Sequence, residues 1–158
     1  MASKLSTRSL FLGLAVLACL VAFLPADDAG KKVKVSLVTV LATTRDEPVD
    51  PRLTCVAREV RKKNPELKGF QLVHMACASL APGAKAKVQL VEGQEALVGV
   101  ERGADKDNKV QLQVRAPLQG EVVYVTVCGK FLPLVTRYKT KKDDLLILCV
   151  MVRPCHKK

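Results

Sequence analysis

Beyond Pro82-Gly83 the apolar residues of this chain recur at every second position, in segments at residues 86–92, 94–102 and 109–116. Period two sends alternate side chains to opposite faces, so each segment reads as a half-buried β-strand. Gly93 and the stretch Gly103-Ala104-Asp105-Lys106-Asp107-Asn108 separate them as turns. Two further strands are expected at residues 121–127 and 145–152. Between them lie Cys128-Gly129-Lys130, an irregular stretch at 131–136 and a basic hairpin tip at 137–144. With aromatics at 4% and no Trp, the core behind these strands must come mainly from Val, Leu and Ala.

Upstream the pattern differs. Residues 33–41 form a β-branched run that becomes apolar on both faces, as a central strand does. Asp50-Pro51 then opens a helix. An Asp side chain accepts from the free N–H groups of a first turn, and Pro there wastes no donor. Leu53, Val56, Ala57 and Val60 make one apolar stripe, which Asn64-Pro65 ends. A strand at residues 70–80 follows Gly69. Strand, helix and strand in this order predict a crossover unit whose helix covers one sheet face. The expected fold class is α+β: a mostly antiparallel, strand-rich sheet with one main helix in an N-terminal β-α-β unit. A disordered polar chain, a collagen-like repeat and a multi-pass membrane protein are excluded by composition.

The N-terminus carries an address. Lys4 and Arg8 precede an uncharged apolar run at residues 10–24, followed by Pro25-Ala26-Asp27-Asp28. This is the pattern of a secretory signal peptide, cut after Ala26. The expected organisation is a signal peptide at 1–26, a short linker at 27–32 and one domain at 33–158, exported to a periplasm or beyond. Two alternatives stay open. The run is shorter than the ~20 residues of a spanning anchor, and Val16-Leu17-Ala18-Cys19 loosely resembles a lipobox. Loss of two of the 26 basic residues and none of the 15 acidic ones leaves the mature chain at a net +9.

Cleavage also leaves five of the six cysteines: Cys55, Cys77, Cys128, Cys149 and Cys155. Export favours disulfides. Cys128 and Cys155 are the first expected pair, closing a loop of roughly 27 residues worth on the order of 3 kcal/mol. Cys149 lies inside an apolar strand and is expected to stay unpaired. Cys55 and Cys77 could form a second pair, although Cys55 falls opposite the helix's apolar stripe and faces away from the sheet. Metal ligation by Cys149, Cys155, His156 and His74 matches no familiar spacing. Asp105, Asp107 and Asn108 read as a hairpin turn rather than a calcium loop. His74 alternates with Leu72 and Ala76 and reads as an edge histidine. No Gly-x-Ser-x-Gly, phosphate loop or dinucleotide fingerprint is present, and no cofactor is expected.

Charge is the remaining clue. Arg58, Arg61, Lys62 and Lys63 crowd the end of the helix, and Arg137, Tyr138, Lys139, Lys141 and Lys142 form the basic tip. Such residues either solvate a secreted surface or attract an anionic cell-envelope polymer, lipid headgroups or an acidic protein. Export and scarce aromatics argue against nucleic acid. The order of elements, with Asp50-Pro51-Arg52-Leu53, Cys128-Gly129-Lys130-Phe131-Leu132-Pro133 and Arg153-Pro154-Cys155, resembles small exported bacterial α+β proteins of unknown function. That resemblance implies no activity and no site. The expected function is a non-catalytic exported domain binding a protein partner or an anionic envelope component, through the tip or a sheet edge marked by Pro133. The alternative is a thiol- or metal-dependent enzyme using Cys128, Cys155 and His156.

Overall fold

The computed structural model describes residues 31–154. The expected signal peptide, most of the expected linker, Cys155 and His156 lie outside the described residues. The helix starts as its sequence dictates. Asp50 Oδ1 accepts the Arg52 backbone N–H at 2.9 Å, a 3-10 turn runs over Pro51–Leu53, and helix α1 follows at Thr54–Arg61. Its end is closed when the N–H groups of Lys63 and Asn64 both reach the Val60 carbonyl.

The described residues also form eight strands: β1 (Val33–Thr43), β2 (Gly69–Leu80), β3 (Lys85–Gln89), β4 (Glu95–Arg102), β5 (Lys109–Ala116), β6 (Gly120–Val127), β7 (Phe131–Lys139) and β8 (Leu145–Pro154). They form two four-stranded antiparallel sheets, ordered β2-β1-β8-β7 and β3-β4-β5-β6. The α+β reading is therefore correct, and three details change. The strand-rich part is a two-sheet sandwich. The expected crossover is not one, because β1 and β2 are direct antiparallel neighbours. The α1 segment lies over the sheet without carrying the chain across to a parallel strand. The stretch at 131–136 is the start of edge strand β7, with Pro133 opposite Cys149. An edge strand has one side without a ladder partner, so it tolerates the missing N–H of Pro133.

Three layers result. Between the sheets, Val35 and Leu37 meet Val98 and Val100 of β4, Val110, Leu112 and Val114 of β5, and Leu148, Val150 and Val152 of β8. On the other face of the first sheet, Leu53, Val56, Ala57 and Val60 pack on Val38, Val40, Phe70, Ile147 and Cys149. Strands β1 and β8 are central and covered on both faces, which is why their sequences read as nearly continuous apolar runs. Thr39 of β1 is fully buried, and its Oγ1 has no hydrogen-bond partner among the described residues.

Helix α1 covers only part of its face. Eight residues rise ~12 Å, whereas strands of ten to twelve residues run ~33–40 Å. The ladder places side chains on the helix side in rows. Val40, Leu72, Ile147 and Val135 form one row, and Val38, Met75, Cys149 and Pro133 the next. Ser36, Cys77, Met151 and Phe131 follow, then Lys34, Ser79 and Arg153. The helix packs on Val40, Ile147, Val38 and Cys149 of the first two rows and leaves bare both the last two rows and Met75, at the β2 edge of the second.

Candidate binding surface

The sandwich has two ends that differ in how far their cations are paired. At the turn end lie the β7–β8 hairpin, the loop before α1 and the 3-10 turn at Val91–Gly93. The expected basic tip is here, and much of it is tied down. Glu92 sits at φ 52, a left-handed conformation that costs a non-glycine residue strain. From there its carboxylate accepts the Tyr138 hydroxyl at 2.6 Å and the Lys141 backbone N–H at 3.0 Å. The Tyr138 bond above all holds Glu92 below its ordinary pKa, and the same bond raises Tyr138. Lys139 pairs with Asp143 at 2.9 Å. Arg45 pairs with Glu47 and Asp144 and donates to the Lys142 carbonyl. Of the five expected tip residues, Arg137, Lys141 and Lys142 form no ion pair among the described residues, although the Lys141 charge helps to lower Glu92. Tyr138 and Lys139 serve the hairpin itself. With Arg45, five cations here stand among the carboxylates of Glu47, Glu92, Asp143 and Asp144, so the tip is nearly balanced.

The opposite end gathers the beginning of β1, the end of β8 and the turns β4–β5 and β6–β7. Val33 pairs with Pro154, Gly129 N–H donates to Val152, and Cys128 N–H donates to Asn108. Lys31, Lys32, Lys34, Arg102, Lys106, Lys130 and Arg153 collect here, and none is among the ion pairs of the described residues. Three acids stand nearby, Glu101, Asp105 and Asp107, and of these Asp107 pairs with a cation among the described residues, Lys109 at 3.8 Å. Asp105 accepts the N–H groups of Asp107 and Lys109, making the expected turn, and Glu101 accepts from Gln111. Lys34 and Arg153 are direct cross-strand partners, both exposed. Like charges in that relation repel. In the next row, Met151 is half-buried, Cys77 exposed and Phe131 48% exposed, with Met75 at 54% beyond. Sequence reasoning missed this surface. Residues 131–136 were expected to be irregular, and register alone shows that Lys34, Arg153, Met151 and Phe131 share a face.

The cysteines do not build a reactive centre among the described residues. Cys55, Cys77, Cys128 and Cys149 are free. The expected Cys55–Cys77 pair is not formed: Cys55 points outward from α1, and Cys77 Sγ lies 3.4 Å from Ser36 Oγ on the bare rows. Cys149 is the buried, unpaired thiol expected, pushed up to about 12 by burial. Burial also raises Cys128, with a smaller contribution from the Asp105 charge. A raised thiol is protonated at neutral pH and a poor nucleophile. Its expected partner Cys155 lies outside the described residues. His74 is exposed on edge strand β2, opposite Thr39. A cavity of about 110 Å³ opens between β2 and β3, lined mainly by apolar residues such as Val35, Leu37, Ala78 and Leu80, with Cys77 and Lys87 as its ionisable groups. No family model, curated protein or solved structure matches the chain.

Proposed function

We propose that this chain is an exported, non-catalytic binding domain that holds an anionic component of the cell envelope through the end where β1 begins and β8 ends. One observation carries this reading: among the described residues Lys34 and Arg153 face each other with no ion-pair partner, amid five further cations that form none either. Unpaired neighbouring cations destabilise a fold slightly, and an anionic ligand turns that cost into affinity. The thiol-enzyme reading has less support, since burial makes Cys128 less acidic rather than more. A Cys128–Cys155 disulfide fits the same end. The Gly129–Val152 hydrogen bond brings Cys128 beside the last residues of β8, and two thiols would pass two electrons and two protons to a disulfide oxidant of the exporting compartment, which leaves as a dithiol.

Retention on a dextran sulfate support, followed against salt, tests the function. Exposed charges are screened within about 8 Å at physiological ionic strength, so elution is expected to follow salt steeply and to shift to lower salt in Lys34→Gln/Arg153→Gln. Passage through the column unretained at low salt would overturn the reading. N-terminal sequencing of the exported chain is expected to begin at Asp27.

A further inference from the structure

Resting on that reading, we infer that the anionic partner is a bilayer surface, docked by the bare rows of the first sheet. These rows pair two chemistries on one face. Phe131, Met75, Met151 and Cys77 offer apolar side chains in a band not covered by α1. Lys34 and Arg153 form the adjacent row, and Lys130 immediately precedes Phe131. A soluble polyanion uses only the cations and leaves the band in water. A membrane interface uses both, because apolar side chains enter the boundary between headgroups and acyl chains while Lys and Arg remain at the phosphates.

Chain geometry points the same way. Residues 25–32 are the only link between the apolar run at 10–24 and the start of β1, and eight residues span at most ~27 Å. Whenever that run occupies a bilayer, as signal or as anchor, the end bearing Lys34 and Arg153 stays within that distance of the headgroups. A second copy fits the face less well. A two-fold contact repeats the same patch on both partners and would set one Lys34–Arg153 row near another without an intervening acid.

The chain contains no Trp, so a single introduced Trp reports its own surroundings in the full-length protein. Phe131→Trp and Met75→Trp place it on the bare rows, and Val123→Trp places it on exposed edge strand β6 of the other sheet as a control. The probes are phosphatidylcholine vesicles with and without phosphatidylglycerol. Expected is a blue-shifted emission at 131 and 75, none at 123, and only with phosphatidylglycerol. The shift is expected to be lost with Lys34→Gln/Arg153→Gln and at about 0.5 M salt, where screening is nearly complete. Vesicles that carry the protein while both reporters stay water-like would overturn the inference, since residues 10–24 would then be the sole attachment. Retention on soluble poly-glutamate without any vesicle shift would overturn it in favour of an acidic polypeptide and leave the anionic-partner reading standing. Failure on both supports would remove both.

Discussion

The two ends of this sandwich use the same residue types to different effect. At the turn end, cations are matched to carboxylates, α1 covers the sheet, and Glu92 ties the second sheet to the β7–β8 hairpin. At the terminal end, seven cations form no ion pair among the described residues and stand beside an apolar band not covered by α1. A count of Lys and Arg along the sequence ranks the hairpin tip as the more basic feature. Pairing reverses that order. What separates a binding surface from a solvated one is which charges have already spent their partners.

The largest contrast is in stability. Phe70 is fully buried beneath α1, and Phe70→Ala is expected to cost about 3–5 kcal/mol by chemical denaturation. Phe131→Ser on the bare rows is expected to stay within about 0.5 kcal/mol. A large loss at Phe131 would mean that its band is core and not surface. Next is the proposed Cys128–Cys155 bridge. Its reduction is expected to remove about 3 kcal/mol and to add two titratable thiols; a chain with five free thiols as exported would refute the bridge. Thr39→Val deletes a buried hydroxyl with no partner while keeping the side chain's shape, so it is expected to add about 1 kcal/mol. Destabilisation would show that the hydroxyl is satisfied in solution.

Acid offers a subtler test. Asp50, Glu59, Glu92 and Glu95 have carboxyls held below their ordinary values by hydrogen bonds from Arg52, Lys62, Tyr138 and Lys87 respectively. A depressed native pKa stabilises the fold above the unfolded value, 3.8 for Asp and 4.5 for Glu, and that support is lost as pH falls through the native one. All four lie toward the turn end. Hydrogen exchange on lowering pH below about 4 is expected to rise first around residues 50–62, 92–95 and 138–144. Loosening that begins at Lys34 and Arg153 would contradict the division between the ends.

Much of this fold was legible in the sequence, because it is written in local periods. The α1 stripe, the Asp50 cap, strand β5 to the residue and the buried isolation of Cys149 all follow from one segment at a time. What failed depends on pairing. An order of strand, helix and strand does not say whether β2 returns beside β1 antiparallel. The run Phe131-Leu132-Pro133-Leu134 does not alternate, because β7 is an edge strand whose faces meet different layers. The candidate surface was illegible for the same reason. Lys34 and Arg153 are 119 positions apart and become neighbours only in the ladder. Glu92, isolated in sequence, gives no sign that it will engage Tyr138.

The central claim is that binding resides at the terminal end, and a charge-matched exchange tests it most directly. Lys34→Gln/Lys130→Gln/Arg153→Gln and Arg137→Gln/Lys141→Gln/Lys142→Gln each remove three positive charges that form no ion pair among the described residues. The measurement is the salt concentration at which each variant leaves the dextran sulfate support. The first set is expected to elute at much lower salt than the parent, and the second close to it. Equal losses would show that net charge alone governs retention, and a greater loss in the second set would return the binding surface to the hairpin tip.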